Sequence, residues 1–297
     1  MKLVVIAGLV ALLITLLGTP LLIRFLQRHG YSQAIRVSTE GVPYPEHEGK
    51  RGTPSMGGLA ILIALVVGYT VSHLYAWQVP SASGLLAIYL IVGLGLVGAA
   101  DDYLKIFKQR STGIRARTKL IGQAFVALTF AYGTTLWPDE YGRTPASNAV
   151  SLVRDTPIVL PTALLLLWIW LLITASTNAV NLTDGLDGLA AGASAITFMA
   201  YTLLGVWQYG QNCAFGRFVR CYDVRDPLDL AVVAAAMAGA CVGFLWWNAS
   251  PAQIFMGDTG SLGLGGGIAA LAILSRTELL LPLMGGLFLI ITLSVIG

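Results

Sequence analysis

Long, nearly uncharged apolar runs recur along the whole of this chain, and they restrict its possible folds more than any other feature. A helix that crosses a bilayer needs about 20 apolar residues, and it must satisfy its own backbone N–H and C=O groups because the hydrocarbon offers no water. Nine runs approach or exceed that length: Leu3–Ile23, Met56–Trp77, Gly84–Ala100, Leu120–Trp137, Pro157–Val180, Leu189–Gln208, Leu228–Trp247, Gly260–Ser275 and Leu279–Gly297. They lack the roughly 10-residue alternation of an outer-membrane barrel. Charged residues make up 11% of the chain and hydrophobic ones 56%, whereas a soluble domain carries about 25% charged residues. The expected class is therefore all-α, one polytopic membrane domain over residues 1–297, with the lipid bilayer as its first partner. The opening run is too long for a signal-peptide core and no A-x-A-like site follows it, so it is read as a retained first span.

Alternating spans place residues 24–55, 101–119, 181–188 and 248–259 on one side. That side carries 11 of the 18 Lys and Arg, so the positive-inside rule makes it cytoplasmic and puts the N-terminus outside. Cys213 and Cys221 share the outside loop 209–227, where an oxidising setting would let them pair. Cys241 lies in an apolar run and reads as a packed small side chain. No CxxC spacing, no P-loop and no Ser-His-Asp arrangement is evident, which argues against zinc, nucleotide-hydrolase and serine-nucleophile chemistry. Gly93-Leu94-Gly95-Leu96-Val97-Gly98 fits G-x-G-x-x-G, but it sits inside a span with no strand before it, so close helix packing is the better reading. No nucleic-acid partner is expected.

Polar residues concentrate in the four inside loops. Between Asn178 and Leu189, the residues Asn178, Asn181, Asp184 and Asp187 recur at every third position and could share one helix face. Acids at a membrane boundary are costly unless they have a partner or a task. Asp101 and Asp102 end the third apolar run, with Lys105 one turn on and Arg115, Arg117 and Lys119 beyond. Adjacent carboxylates suit Mg²⁺ or a general base, and the cations suit phosphates or anionic headgroups. Lys50 and Arg51 precede the Gly52–Gly58 turn, which reads equally as a phosphate-binding helix start and as a basic anchor. The stretch from Trp246 to Ser261 offers Asn248 and Asp258 as hard oxygen ligands, Phe255 for stacking a base, and Gly257 among backbone donors; a capped helix start fits it too. His29, His47 and His73 have no partner recognisable in the sequence. Hard ligands mixed with cations point to a cytoplasmic, Mg²⁺-dependent site for a polyphosphate compound. A transporter is the competing class, but inverted repeats are not evident and the acids gather on one face rather than at the midplane.

Four motifs, GTPSMGG at 52–58, DDYLK at 101–105, NAVNLTDGLDGLA at 178–190 and NASPAQIFMGDTGS at 248–261, occur in the order and wording of one family. The chain resembles the polyprenyl-phosphate N-acetylhexosamine-1-phosphate transferases. Its NLTDGLDGLA wording resembles the branch that carries phospho-N-acetylmuramoyl-pentapeptide rather than N-acetylglucosamine-1-phosphate, the runner-up. The resemblance implies transfer from UDP-N-acetylmuramoyl-pentapeptide to undecaprenyl phosphate, giving lipid I and UMP in the first membrane step of peptidoglycan synthesis. It also implies a ten-span helical fold in the bacterial cell membrane with a cytoplasmic active site.

Carried over residue by residue, the resemblance makes Asp258 the Mg²⁺ ligand, ahead of Asp184 and Asp187. Asp101 becomes the carboxylate base that deprotonates the lipid phosphate, with Asp102 and Lys105 beside it and Lys119 near the substrate phosphates. Asp187 joins these catalytic positions. Asn181, Leu182, Asp184, Asn248, Phe255 and Gly257 become substrate contacts, and Lys50 or Arg51 a basic contact. The acceptor phosphate has a second pKa near 6, so little proton abstraction is needed at neutral pH. The family's tenth span and the His-bearing loop before it have no counterpart in residues 1–297. A molecule consisting of these residues alone is therefore expected to have little or no activity. Span packing leaves a homodimer open.

Overall fold

The computed structural model describes residues 1–29, 52–107, 113–215 and 220–296. The helices are α1 (Lys2–Arg28), α2 (Gly58–Ala76), α3 (Ala82–Phe107), α4 (Ala116–Thr134), α5 (Thr162–Thr183), α6 (Leu189–Gly210), α7 (Pro227–Asn248), α8 (Gly257–Leu274), α9 (Leu281–Met284) and α10 (Gly286–Ile296). Two short antiparallel strands, β1 (Ala149–Ser151) and β2 (Asp155–Val159), pair between α4 and α5.

The apolar runs become helices because a spanning segment has no other way to bond its backbone. Among the described residues, seven helices are long and apolar enough to cross a membrane: α1, α2, α3, α5, α6, α7 and α8. The fourth expected span is the helix α4, which begins four residues earlier than its apolar run and takes Arg117 and Lys119 into its first turns. The ninth is broken, since α9 with the turn before it and α10 meet at a bend of 76° beside Gly285. The fifth expected span loses its beginning to β2, and α5 starts only after Pro161.

α8 is the axis of the bundle. Of its apolar stretch 89% is buried, against 33% for α1 at the periphery. α8 packs on α3, α5 and α2, while α7 packs on α1, α6 and α2. Small residues make this possible, because lipid gives no hydrophobic drive between helices and contact must come from close backbone approach. A Cβ on Gly98 would collide with the Asp258 carbonyl oxygen, and one on Gly58 with the Gly260 amide. α2 and α3 therefore touch the first turn of α8 backbone to backbone.

The opposite end of the bundle carries a polar cap. Cys213 and Cys221 are joined there in a disulfide, as the sequence allowed. Arg143 binds Asp139 and the Asn212 side chain, and Arg276 binds Asp155 and Asp223. His73 does have a partner: its Nε2 lies 3.1 Å from Asp229 at the start of α7.

Candidate active site

Four elements converge at the other end: the end of α3, the start of α4, the end of α5 and the start of α8. α3 runs about two turns past Ala100, where the apolar run ends, to Phe107. Its last turns thus carry Asp101, Asp102 and Lys105 on helical geometry, with Asp101 and Lys105 four residues apart and Nζ 2.7 Å from Oδ2.

Asp258 is the hub. Its Oδ2 accepts hydrogen bonds from Lys105 Nζ at 2.8 Å and Lys119 Nζ at 2.6 Å. Its Oδ1 accepts one from Asn181 Nδ2 at 2.7 Å, and that amide also donates to Ser261 Oγ at 2.8 Å. Asp101 is buried and accepts the Ile114 N–H at 2.6 Å on Oδ1, which ties the start of the α4 segment to α3. Asp102 is also buried, and it turns to the backbone of α8.

One carboxylate oxygen from each of Asp101, Asp102 and Asp258 lies within 4.8 Å of the others. Three carboxylates face two ammonium groups, which leaves an excess of one negative charge in a half-buried place. Like charges so enclosed are costly without a cation. The donors are hard oxygens, as Mg²⁺ requires, and Mg²⁺ needs only one or two carboxylates besides water and phosphate. The site therefore fits a small divalent cation.

Asp184 caps the end of α5 next to this cluster. Enclosure of its carboxyl, and after that the negative charges of Asp102 and Asp258, hold its pKa well above the usual carboxylate range.

The remaining expected contacts are placed differently from one another. Asn248 is 3% exposed; its Oδ1 accepts the Gly188 N–H at 3.2 Å and its Nδ2 donates to the Ile254 carbonyl at 2.9 Å. It latches the 184–188 turn onto the 248–256 loop. Asp187 Oδ2 takes the Ala252 N–H at 3.4 Å across the same seam. Phe255 is half-buried, and its backbone is zipped to the 54–57 segment. The N–H groups of Gly57 and Gly58 bond the Phe255 and Met256 carbonyls, so the start of α2 is spent on this contact and not open to a phosphate. Leu182 is exposed on α5. Lys50 and Arg51 lie outside the described residues. Reading the sequence missed Ile114; Ser261, legible there as one of the hydroxyls around Asp258, turns out to share the Asn181 amide with it.

An apolar groove of about 630 Å³ runs beside the site between α5 and the bent α9–α10 pair, lined by Trp168, Leu172, Leu182, Pro282 and Phe288 among others.

Comparison with known proteins gives one consistent result. The family model described as glycosyl transferase family 4 matches residues 81–276. The first signature of phospho-N-acetylmuramoyl-pentapeptide-transferase matches residues 50–62. Curated proteins of that name are similar over nearly the whole chain. The one from Streptomyces avermitilis is 52% identical over 300 residues, covering 100% of this chain and 83% of its own length. That from Cutibacterium acnes is 53% identical over 298 residues, covering 99% and 83%. That from Frankia alni is 55% identical over 296 residues, covering 99% and 82%.

Proposed function

The chain belongs to glycosyl transferase family 4, among the phospho-N-acetylmuramoyl-pentapeptide-transferases, and on that premise we propose that Asp258, Asp101, Lys105, Lys119 and Asn181 form its reaction centre. The protein is a multi-pass transferase of the bacterial cell membrane acting in peptidoglycan synthesis. It moves phospho-N-acetylmuramoyl-pentapeptide from its UDP carrier to undecaprenyl phosphate, with release of UMP. The observation that carries the assignment of the centre is the double lysine bridge to Asp258, at 2.8 and 2.6 Å.

Phosphoryl transfer asks mainly for positioning and for charge neutralisation. Lys105 and Lys119 come from different helices and converge on one point, so they would clamp phosphate oxygens between α3 and α4. Fixed cations of this kind stabilise charge that develops on the leaving phosphate. Asp101, held by Lys105 and by the Ile114 N–H, would orient the acceptor phosphate and take up whatever proton it still carries. Asn181 holds Asp258 in place through Oδ1. Asp258 would hold Mg²⁺, which when bound supplies Lewis-acid neutralisation of the pyrophosphate. The groove between α5 and α9–α10 opens beside Leu182 and would seat part of the polyprenyl chain, because it is apolar and reaches the site end of α5.

The Cys213–Cys221 disulfide at the far end supports an outside location for that end, since such bonds persist in oxidising compartments. The reaction centre would then face the cytoplasm, where the nucleotide substrate is made.

The test is UMP release by purified protein that includes the family's tenth span and His-bearing loop, given undecaprenyl phosphate, Mg²⁺ and one UDP-sugar at a time. Release with UDP-N-acetylmuramoyl-pentapeptide and not with UDP-N-acetylglucosamine is expected. The reverse preference would overturn the reading.

A further inference from the structure

Asp102 differs from the other acids of the site in what it touches. α8 begins at Gly257, and Met256 at its N-cap position provides no side-chain cap. A helix start leaves four N–H groups without intrahelical partners, and a cap usually comes from the residue just before it. Here the acceptor comes from another helix. Asp102 Oδ1 accepts the Asp258 N–H at 3.1 Å, and Oδ2 accepts the Thr259 N–H at 2.9 Å and the Thr259 hydroxyl at 2.7 Å. A carboxylate offers about four lone-pair sites. Three are taken by α8, and Oδ1 looks towards Lys105 Nζ at 4.0 Å. The approach requires glycine at 257, where φ is +75° and a Cβ would stand 2.5 Å from Asp102 Oδ2.

Resting on the reaction centre proposed above, we propose that Asp102 is a positioning residue: it caps α8 from α3 and so fixes the aim of Asp258, without itself touching substrate or metal. Asp258 is the second residue of α8, and its own backbone N–H is one of the groups that Asp102 holds. The side chain of Asp258 then reaches Lys105, Lys119 and Asn181 from a fixed origin. The cap makes the end of α3 and the start of α8 one unit.

The proposal is tested on the full chain in detergent with Asp102→Asn, Thr259→Val, Thr259→Ser and the Asp102→Asn/Thr259→Val double variant. Three readouts are taken: amide hydrogen exchange over 256–262, binding of Mn²⁺ alone by electron paramagnetic resonance, and kcat and KM for UMP release. A lost cap should speed exchange in the first turn of α8 by about tenfold in Asp102→Asn. kcat should fall about tenfold or more with KM nearly unchanged, and Mn²⁺ binding should persist. Thr259→Val should fall in the same direction, Thr259→Ser should restore the wild-type value, and the double variant should be no worse than Asp102→Asn within about twofold, because both changes break one contact.

Loss of Mn²⁺ binding in Asp102→Asn with unchanged exchange would overturn the proposal in favour of a metal ligand. Losses that multiply in the double variant would overturn it as well. If Asp102→Asn does not fold, the Thr259 pair decides, and a Thr259→Val protein with wild-type exchange and kcat overturns it. A wild type that carries the family's tenth span and His-bearing loop and still releases no UMP counts against the reaction centre alone, since exchange and Mn²⁺ binding still judge the cap.

Discussion

Lys119 Nζ lies 2.6 Å from Asp258 Oδ2, although 139 residues separate the two in the chain. The contact joins the first turns of α4 and α8, and with Lys105 it places two cations on one carboxylate oxygen. Replacement of Lys119 by Met keeps the length of the side chain and removes its charge. UMP release should fall by about a hundredfold to a thousandfold, the usual cost of one electrostatic donor at a reaction centre. Measured kcat against a thermal melt separates this from unfolding.

Asn181 gives both amide hydrogens to the site, one to Asp258 and one to Ser261. In Asn181→Ala the Asp258 Oδ1 loses its donor, at a cost of about 1–3 kcal/mol for a buried polar group. kcat/KM should drop by about tenfold or more, since each 1.4 kcal/mol is a factor of ten. Steady-state UMP release checks this.

Metal should also register in stability. Mg²⁺ that binds only the folded chain stabilises it by mass action, by about 2.7 kcal/mol at a hundred times Kd. Thermal melts should therefore rise with Mg²⁺ in the wild type and stay flat in Asp258→Asn. An equal rise in both would place the ion elsewhere.

Gly98 faces the Asp258 carbonyl across the α3–α8 contact. Gly98→Ala should destabilise the fold by about 1–3 kcal/mol, the common range for overpacking. It should also impair turnover, because α8 must move and Asp258 with it. Unfolding midpoint and kcat together test this.

At the far end, the Cys213–Cys221 bond closes a loop over a sequence separation of 8. The Cys213→Ser/Cys221→Ser protein should lose roughly 2–3 kcal/mol of stability by the loop-entropy rule. Its kcat should match the wild type in a UMP-release assay below the melting range.

The sequence made the helical membrane class legible, because apolar length alone decides it. It also made legible the grouping of the Asp101, Asn181 and Asp258 motifs at one end, which follows from alternating spans. It hid the places where tertiary partners overrule local pattern. The Asp101–Asp102 pair reads as the end of a span, yet α3 continues because Lys105 and the start of α8 neutralise and bond both acids. Asn248 reads as a hard oxygen ligand, and the contacts it makes, to Gly188 and Ile254, are fixed only by the fold. His73 finds Asp229, which no spacing rule connects to it. β2 was hidden by the apolar residues that follow Pro157, which read as the start of a span.

The most direct measurement is UMP release from UDP-N-acetylmuramoyl-pentapeptide and undecaprenyl phosphate at saturating Mg²⁺, comparing the wild type with a folded Asp258→Ala protein. When both proteins carry the family's tenth span and His-bearing loop, UMP is expected from the wild type, with a loss of about a thousandfold or more in the variant, in line with removal of a metal ligand and its charge clamp. An Asp258→Ala protein that turns over at the wild-type rate would contradict it.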